Sequence, residues 1–150
     1  MTDFRPLAVV VLAAGQGTRM KSPLPKVLHP VAGRTMLGHV LAAARALEPA
    51  RLVVVTRPDA EAISRAAAPA DTAVQHQQRG TGHAVLAAAD ALKGFSGDVL
   101  ILYADTPLLT VETLRRVLAA RESGASVAVL GFHPADPDPY GRLVTAEDGS

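Results

Sequence analysis

The sequence predicts an α/β protein with a mostly parallel, Rossmann-like sheet and helices on both of its faces. Short β-branched runs alternate along the 150 residues with segments of helical period, the pattern of a sheet built from β-α-β crossovers. The first run, Leu7-Ala8-Val9-Val10-Val11-Leu12, has no polar alternation, as expected of a strand covered on both sides. The chemically richest segments, at 15–26, 75–82 and 103–105, each follow the end of such a run, where sheets of this kind bind ligands.

In chain order, strands are expected at 7–12, 52–56, 72–75, 99–103 and 126–130, with a short last one at 142–145. The run 99–103 reads as buried, like the first. Between them, residues 36–47 place Leu37, Val40, Leu41, Ala44 and Leu47 on one face at the helical period. The segments 61–68 and 83–92 are short and alanine-rich, and both read as helices. Thr110 is a helix cap by type, before an apolar face of Val111, Leu114, Val117 and Leu118 that ends near Gly124. The run His133-Pro134-Ala135-Asp136-Pro137-Asp138-Pro139 reads as a stiff polar loop.

Size and composition narrow the function classes. The chain has one domain's length, and 49% hydrophobic residues argue against disorder. Fifteen Lys and Arg against fourteen Asp and Glu leave no electrostatic case for a nucleic-acid or membrane partner, so any positive charge for a phosphate must be local. No cysteine is present, which removes disulfides and thiolate metal sites. The N-terminus does not look like a signal peptide, and no apolar run approaches the roughly 18 residues of a membrane helix. A soluble cytoplasmic protein is expected.

After the first run comes Ala13-Ala14-Gly15-Gln16-Gly17-Thr18-Arg19-Met20, and shortly after it Leu24-Pro25-Lys26-Val27-Leu28. Gly15 and Gly17 are free to take positive φ and to bring backbone N–H groups close to phosphate oxygens, while Arg19 and Lys26 supply charge. The same glycines also suit a plain tight turn. Met20 stands where the dinucleotide fingerprint has its third glycine, and no G-K-[ST] follows, so neither common nucleotide motif is present. Asp105, just past a strand end and before Thr106-Pro107, suits either a turn or a Mg²⁺ ion that bridges phosphates. Gln75 offers an amide donor and acceptor, but taken alone it reads as a surface residue. His29, His39 and His83 lie in different elements without ligand spacing and read as structural.

These motifs together resemble the sugar-nucleotide pyrophosphorylases. LAAGQGTRM with LPKVLHPVAG, Gln75 with Arg79-Gly80-Thr81-Gly82-His83-Ala84, Tyr103-Ala104-Asp105-Thr106-Pro107-Leu108 and Tyr140-Gly141-Arg142 follow in family order. The resemblance is greatest to the uridyltransferase domains of the GlmU family, bifunctional bacterial enzymes of the MobA-like nucleotidyltransferase superfamily. It implies a nucleotide-diphospho-sugar transferase fold and transfer of a uridylyl group from UTP to N-acetylglucosamine-1-phosphate, with Mg²⁺ as cofactor and cell-wall precursor synthesis as setting.

Carried over by position, the resemblance implies catalytic roles for Arg19, Lys26 and Asp105, with Asp105 on the metal. It implies substrate contacts at Leu12, Ala13, Ala14, Gly15, Gly17, Thr18 and Lys26, at Gln75, Gly80 and Thr81, at Tyr103, Ala104 and Asp105, and at Gly141. The family usually has glycine where Ala104 stands, which leaves a close backbone approach there open. The family's acetyltransferase is a β-helix of hexapeptide repeats that builds trimers. No such repeats are here, so neither acetyl-CoA binding nor a trimer is expected, and residues 1–150 are expected to be a C-terminally incomplete nucleotidyltransferase domain. The other readings are transfer to another sugar phosphate or to molybdenum cofactor, and a nucleotide-binding remnant without turnover.

Overall fold

Consecutive valines at 9, 10 and 11 cannot share one face of a strand, and all three are fully buried, so the strand that holds them is covered on both sides. The computed structural model describes residues 5–17, 20–136 and 140–144. The chain divides into two compact units, Met1–Arg115 and Arg116–Ser150. Along the chain run β1 (Leu7–Leu12), β2 (Pro30–Val31), β3 (Arg34–Thr35), α1 (Met36–Arg45), β4 (Arg51–Thr56), α2 (Glu61–Ala67), β5 (Asp71–Val74), α3 (Thr81–Ala87), β6 (Asp98–Tyr103) and α4 (Val111–Glu122), in which the division falls.

In the first unit β5-β4-β1-β6 form one parallel sheet in that spatial order. Val10 stands opposite Val53 on one side and Ile101 on the other. Val10, Val53 and Val55 pack against Ala84 and Ala88 of the α3 segment. By alternation Val9, Val11 and Val54 face the other side, where α1 and α2 lie against β1, β4 and each other. Each such valine contributes about 1.5–3 kcal/mol of burial. The expected sheet, with helices on both faces, is therefore the observed one.

Helix ends follow local chemistry. Thr35 Oγ1 accepts from Gly38 N at 3.0 Å and starts α1, while Thr110 Oγ1 accepts from Thr113 N at 3.2 Å and caps α4 as expected. The third helix begins at Thr81, two residues before the expected start, and the expected span 83–92 is regular only to Ala87. Beyond it Ala88 N and Ala89 N reach carbonyls three residues back, so the alanines continue as tightened turns.

Three expectations are corrected. The strand expected at 126–130 does not form: among the described residues it pairs with no strand, and Val127, Val129 and Leu130 are exposed at 74%, 65% and 51%. β-branched composition makes a strand only where a neighbour completes the ladder. Residues 142–144 are likewise irregular, and Thr145, the end of the last expected strand, lies outside the described residues. The run 99–103 is buried on one face only, because the alanines of the α3 segment that cover Val10, Val53 and Val55 leave Ile101, opposite Val10, exposed. Leu100 and Leu102 are covered while Val99, Ile101 and Tyr103 are exposed at 42–48%.

Within the second unit the rings of Phe132 and Tyr140 meet edge to face with centroids 5.0 Å apart. Leu143 lies over Gly131, where a Cβ would stand 2.9 Å from it.

Candidate functional site

Beyond the carboxyl ends of β1, β5 and β6 lies a cavity of about 690 Å³, of the size of small-molecule sites. Its walls come from the loops after those strands. β1 runs into Ala13-Ala14-Gly15-Gln16-Gly17, with Ala13 N still donating to Val55 O at 2.8 Å, so the loop leaves the sheet only after Ala13.

Gly17 takes φ +62°, and a Cβ on it would stand 2.7 Å from Lys26 Cβ. Glycine is required here twice over, for the backbone conformation and for the close passage of Lys26. Gly15 departs from expectation, since it is not among the residues with positive φ. A Cβ there would meet nothing within 4 Å, so neither the fold's packing nor its backbone demands glycine at 15, and the atom would occupy open space at a residue of the cavity wall.

Lys26 opens a single 3₁₀ turn after Pro25, with Leu28 N donating to Pro25 O at 2.9 Å and Val27 buried beneath. The turn presents the ammonium to the cavity. Asp105 arrives from the far side: Ala104 N extends the β1–β6 ladder to Leu12 O at 3.0 Å, and Thr106 Oγ1 donates to Tyr103 O at 2.8 Å to fix the turn. Lys26 Nζ then donates to Asp105 Oδ2 at 2.7 Å, across 79 residues of chain. The two side chains are 34% and 37% exposed. Pairs this exposed contribute only about 0.2–1 kcal/mol, so a ligand rich in charge separates them easily.

Gln75, at the end of β5, is 4% exposed and held by its own N–H to Thr56 O at 2.8 Å. Its Nε2 lies 3.2 Å from Gly80 O and 3.1 Å from His83 Nδ1. Gly80 has φ +93°, a conformation that favours glycine. Gln78 Nε2 donates to Ala14 O at 3.0 Å and ties the loop after β5 to the glycine loop. Sequence reasoning passed over Gln78, and nothing in His76-Gln77-Gln78-Arg79 separates it from its neighbours.

The structure brings Leu12, Ala13, Ala14, Gly15, Gly17, Lys26, Gln75, Gly80, Thr81, Tyr103 and Asp105 to one cavity, joined by Gln16, Met20, Val27, Gln78 and Ala84. Ala104 is not with them. It is fully buried, so its methyl group replaces the family's glycine inside the fold and leaves the cavity wall unobstructed. Gly141 belongs to the second unit. Thr18 and Arg19 lie outside the described residues. His29 Nε2 bonds to Leu24 O at 3.2 Å and His39 Nε2 to Val31 O at 2.7 Å, both structural contacts that hold β2 and its approach in place.

Among the described residues no three His, Cys, Asp or Glu side chains gather to hold a metal ion. Asp105 offers one carboxylate, and it is paired with the Lys26 ammonium. That donor set fits Mg²⁺ of the substrate-borne kind, which draws most of its oxygens from phosphates and water. No helix among the described residues is long and apolar enough to cross a membrane.

The family model of the MobA-like NTP transferase domain matches residues 9–145. The chain belongs to that family. The bifunctional protein GlmU of Paramagnetospirillum magneticum is 56% identical to it over 145 residues, 95% of this chain and 32% of the relative. GlmU of Xanthobacter autotrophicus is 58% identical over 152 residues, 99% of this chain and 34% of the relative. The chain thus spans about a third of the length of the curated relatives it matches. Among solved structures, Rv0371c of Mycobacterium tuberculosis superposes with a TM-score of 0.67 at 28% identity, over 82% of this chain and 63% of that one. A second structure of Rv0371c, a complex with manganese, gives 0.64 at 26% identity, over 79% and 60%. The chain is therefore a nucleotidyltransferase-family domain homologous to part of GlmU.

Proposed function

We propose that this chain carries the nucleotide site of a uridyltransferase that forms UDP-N-acetylglucosamine and pyrophosphate from UTP and N-acetylglucosamine-1-phosphate. The observation that carries the reading is the meeting of Lys26 and Asp105 at 2.7 Å in a cavity whose other walls are the glycine loop and Gln75. One wall is suited to phosphates, the other to a base.

In this reading an oxygen of the sugar phosphate attacks the α-phosphorus of UTP, the bond from that phosphorus to the bridging oxygen of the β-phosphate breaks, and pyrophosphate leaves with the electron pair. The attacking oxygen is already anionic at neutral pH, so no general base is needed. Catalysis rests on alignment and on neutralising charge. Lys26 leaves Asp105 for the phosphates, Asp105 is released to hold a divalent cation, and Arg19 adds a second positive charge from the glycine loop. The cation, when bound, would neutralise part of the negative charge of the phosphates. Gln75 and the Gly80-Thr81 segment read the base, Leu12 to Gly17 and Thr18 line the nucleotide, and Tyr103 lines the same cavity.

The test is pyrophosphate release from UTP, N-acetylglucosamine-1-phosphate and Mg²⁺, with other nucleoside triphosphates and sugar phosphates as controls. Release with UTP and this sugar phosphate above all others supports the assignment. Tight UTP binding with no release under any acceptor would instead assign the chain to nucleotide binding without turnover.

A further inference from the structure

We infer that His83 is a positioning residue for base selection, which turns the Gln75 amide so that only its oxygen is offered to the nucleobase. The inference rests on the reading above that Gln75 lies in the base site. The decisive contact is with Gly80. A backbone carbonyl can only accept, so the amide atom 3.2 Å from Gly80 O must be Nε2, and the alternative flip would set two oxygens against each other. The second Nε2 hydrogen then lies on His83 Nδ1, 3.1 Å away, and Nδ1 must be the unprotonated nitrogen of a neutral ring.

Both donors of the amide are thereby spent. Gly80 O is spent too, because it also accepts from Ala84 N at 3.2 Å in the first turn of α3. Among the described residues no fully buried polar side-chain atom lacks a partner. Gln75 Oε1 has none, so it is not fully buried, and Gln75 lines the cavity. His83 does not line the cavity and acts from behind.

An acceptor-only amide recognises a ring N–H. The imide N3–H of uracil satisfies it, whereas cytosine presents a lone pair at N3 and would face oxygen with nitrogen. A site that holds a fixed acceptor discriminates strongly against a base lacking the donor. Gly80 O sets the direction of the amide and His83 secures it: without an acceptor at Nδ1, one Nε2 hydrogen has no partner and the amide is held by Gly80 O alone.

The experiment compares UTP and CTP, whose triphosphates are identical, by titration calorimetry with Mg²⁺ on the wild-type chain, His83→Leu and His83→Asn. Asparagine places an oxygen near the position of Nδ1. The expected result is that His83→Leu lowers the preference for UTP about tenfold, a difference of about 1.4 kcal/mol, chiefly by weakening UTP. His83→Asn should restore most of it. Nitrogen-15 NMR of the free wild-type chain should show His83 protonated at Nε2 and not at Nδ1. An equal loss of UTP and CTP binding in both variants, or a proton on Nδ1, would overturn the inference while leaving Gln75 in the base site. Equal binding of UTP and CTP by the wild-type chain would overturn the base-site reading itself, and this inference with it.

Discussion

Replacing Lys26 with methionine should move nucleotide and metal binding in opposite directions. Methionine keeps the Cβ that passes Gly17 and most of the stem, so the glycine loop retains its packing and only the ammonium is lost. A hydrogen bond to a charged group contributes about 1.5–3 kcal/mol. In the wild-type chain Lys26 must first leave Asp105, a pair with side chains 34% and 37% exposed, which costs about 0.2–1 kcal/mol. The net loss of UTP affinity is then about 0.5–2.8 kcal/mol, or roughly two- to a hundredfold.

The metal effect has the opposite sign. Without nucleotide, a divalent cation must displace Lys26 to reach the Asp105 carboxylate. Removing the ammonium should tighten Mn²⁺ binding by the strength of that pair, about 1.4- to fivefold. Titration calorimetry reads the first effect and electron paramagnetic resonance of free Mn²⁺ the second, with Asp105→Asn as the control that abolishes the site. A Lys26→Met chain that binds Mn²⁺ no better than wild type, while Asp105→Asn binds it worse, would refute the argument that Lys26 occupies the cation's place.

Gly17→Ala should destabilise the chain by about 1–2 kcal/mol from backbone strain alone, and also displace Lys26, whereas Gly15→Ala should leave the melting curve unchanged and weaken only UTP binding; calorimetric melting beside UTP titration separates them, and equal melting losses would contradict the assignment. Gln78→Ala removes the bond to Ala14 O, so hydrogen exchange in the glycine loop should quicken and UTP affinity fall several-fold; unchanged exchange would show that the tie is idle. Ile101→Lys, on the uncovered face of β6, should alter stability by less than about 0.5 kcal/mol and reduce light scattering on heating. A large fall in stability would mean that this face is packed.

The parts of the fold legible in the sequence are those whose cause is local. Val9, Val10 and Val11 announce a strand covered on both sides, because no one-sided strand tolerates three in a row, and Thr110 announces its helix through its own side chain. The segment 126–130 has the same β-branched composition and no ladder, since pairing depends on a neighbour that composition does not report. The β2–β3 ribbon was hidden for another reason. Its turn places Ala32 at φ +48° and Gly33 at +80°, the two positive values a tight hairpin needs, and alanine seldom signals such a backbone.

The candidate site divides in the same way. The chemistry of Lys26, Asp105 and Gln75 was legible residue by residue, but their pairing was not, because it is a consequence of strand register. Leu12 stands opposite Tyr103. From there the ladder runs one residue further to Ala104, which turns inward, and the next side chain, Asp105, faces the cavity and meets Lys26. A slip of one residue in β6 would exchange the two faces of the strand, burying the carboxylate where Ala104 now lies and leaving the ammonium without its partner. Charge in the interior is costly, so the alternating pattern of Leu100 and Leu102 that buries one face of β6 also holds Asp105 at the site. The same dependence explains why Gln78 was passed over and why His83 read only as structural. Each acts through a bond to another loop, Ala14 O for one and Gln75 for the other, and those loops are neighbours only because β1, β4 and β5 end side by side.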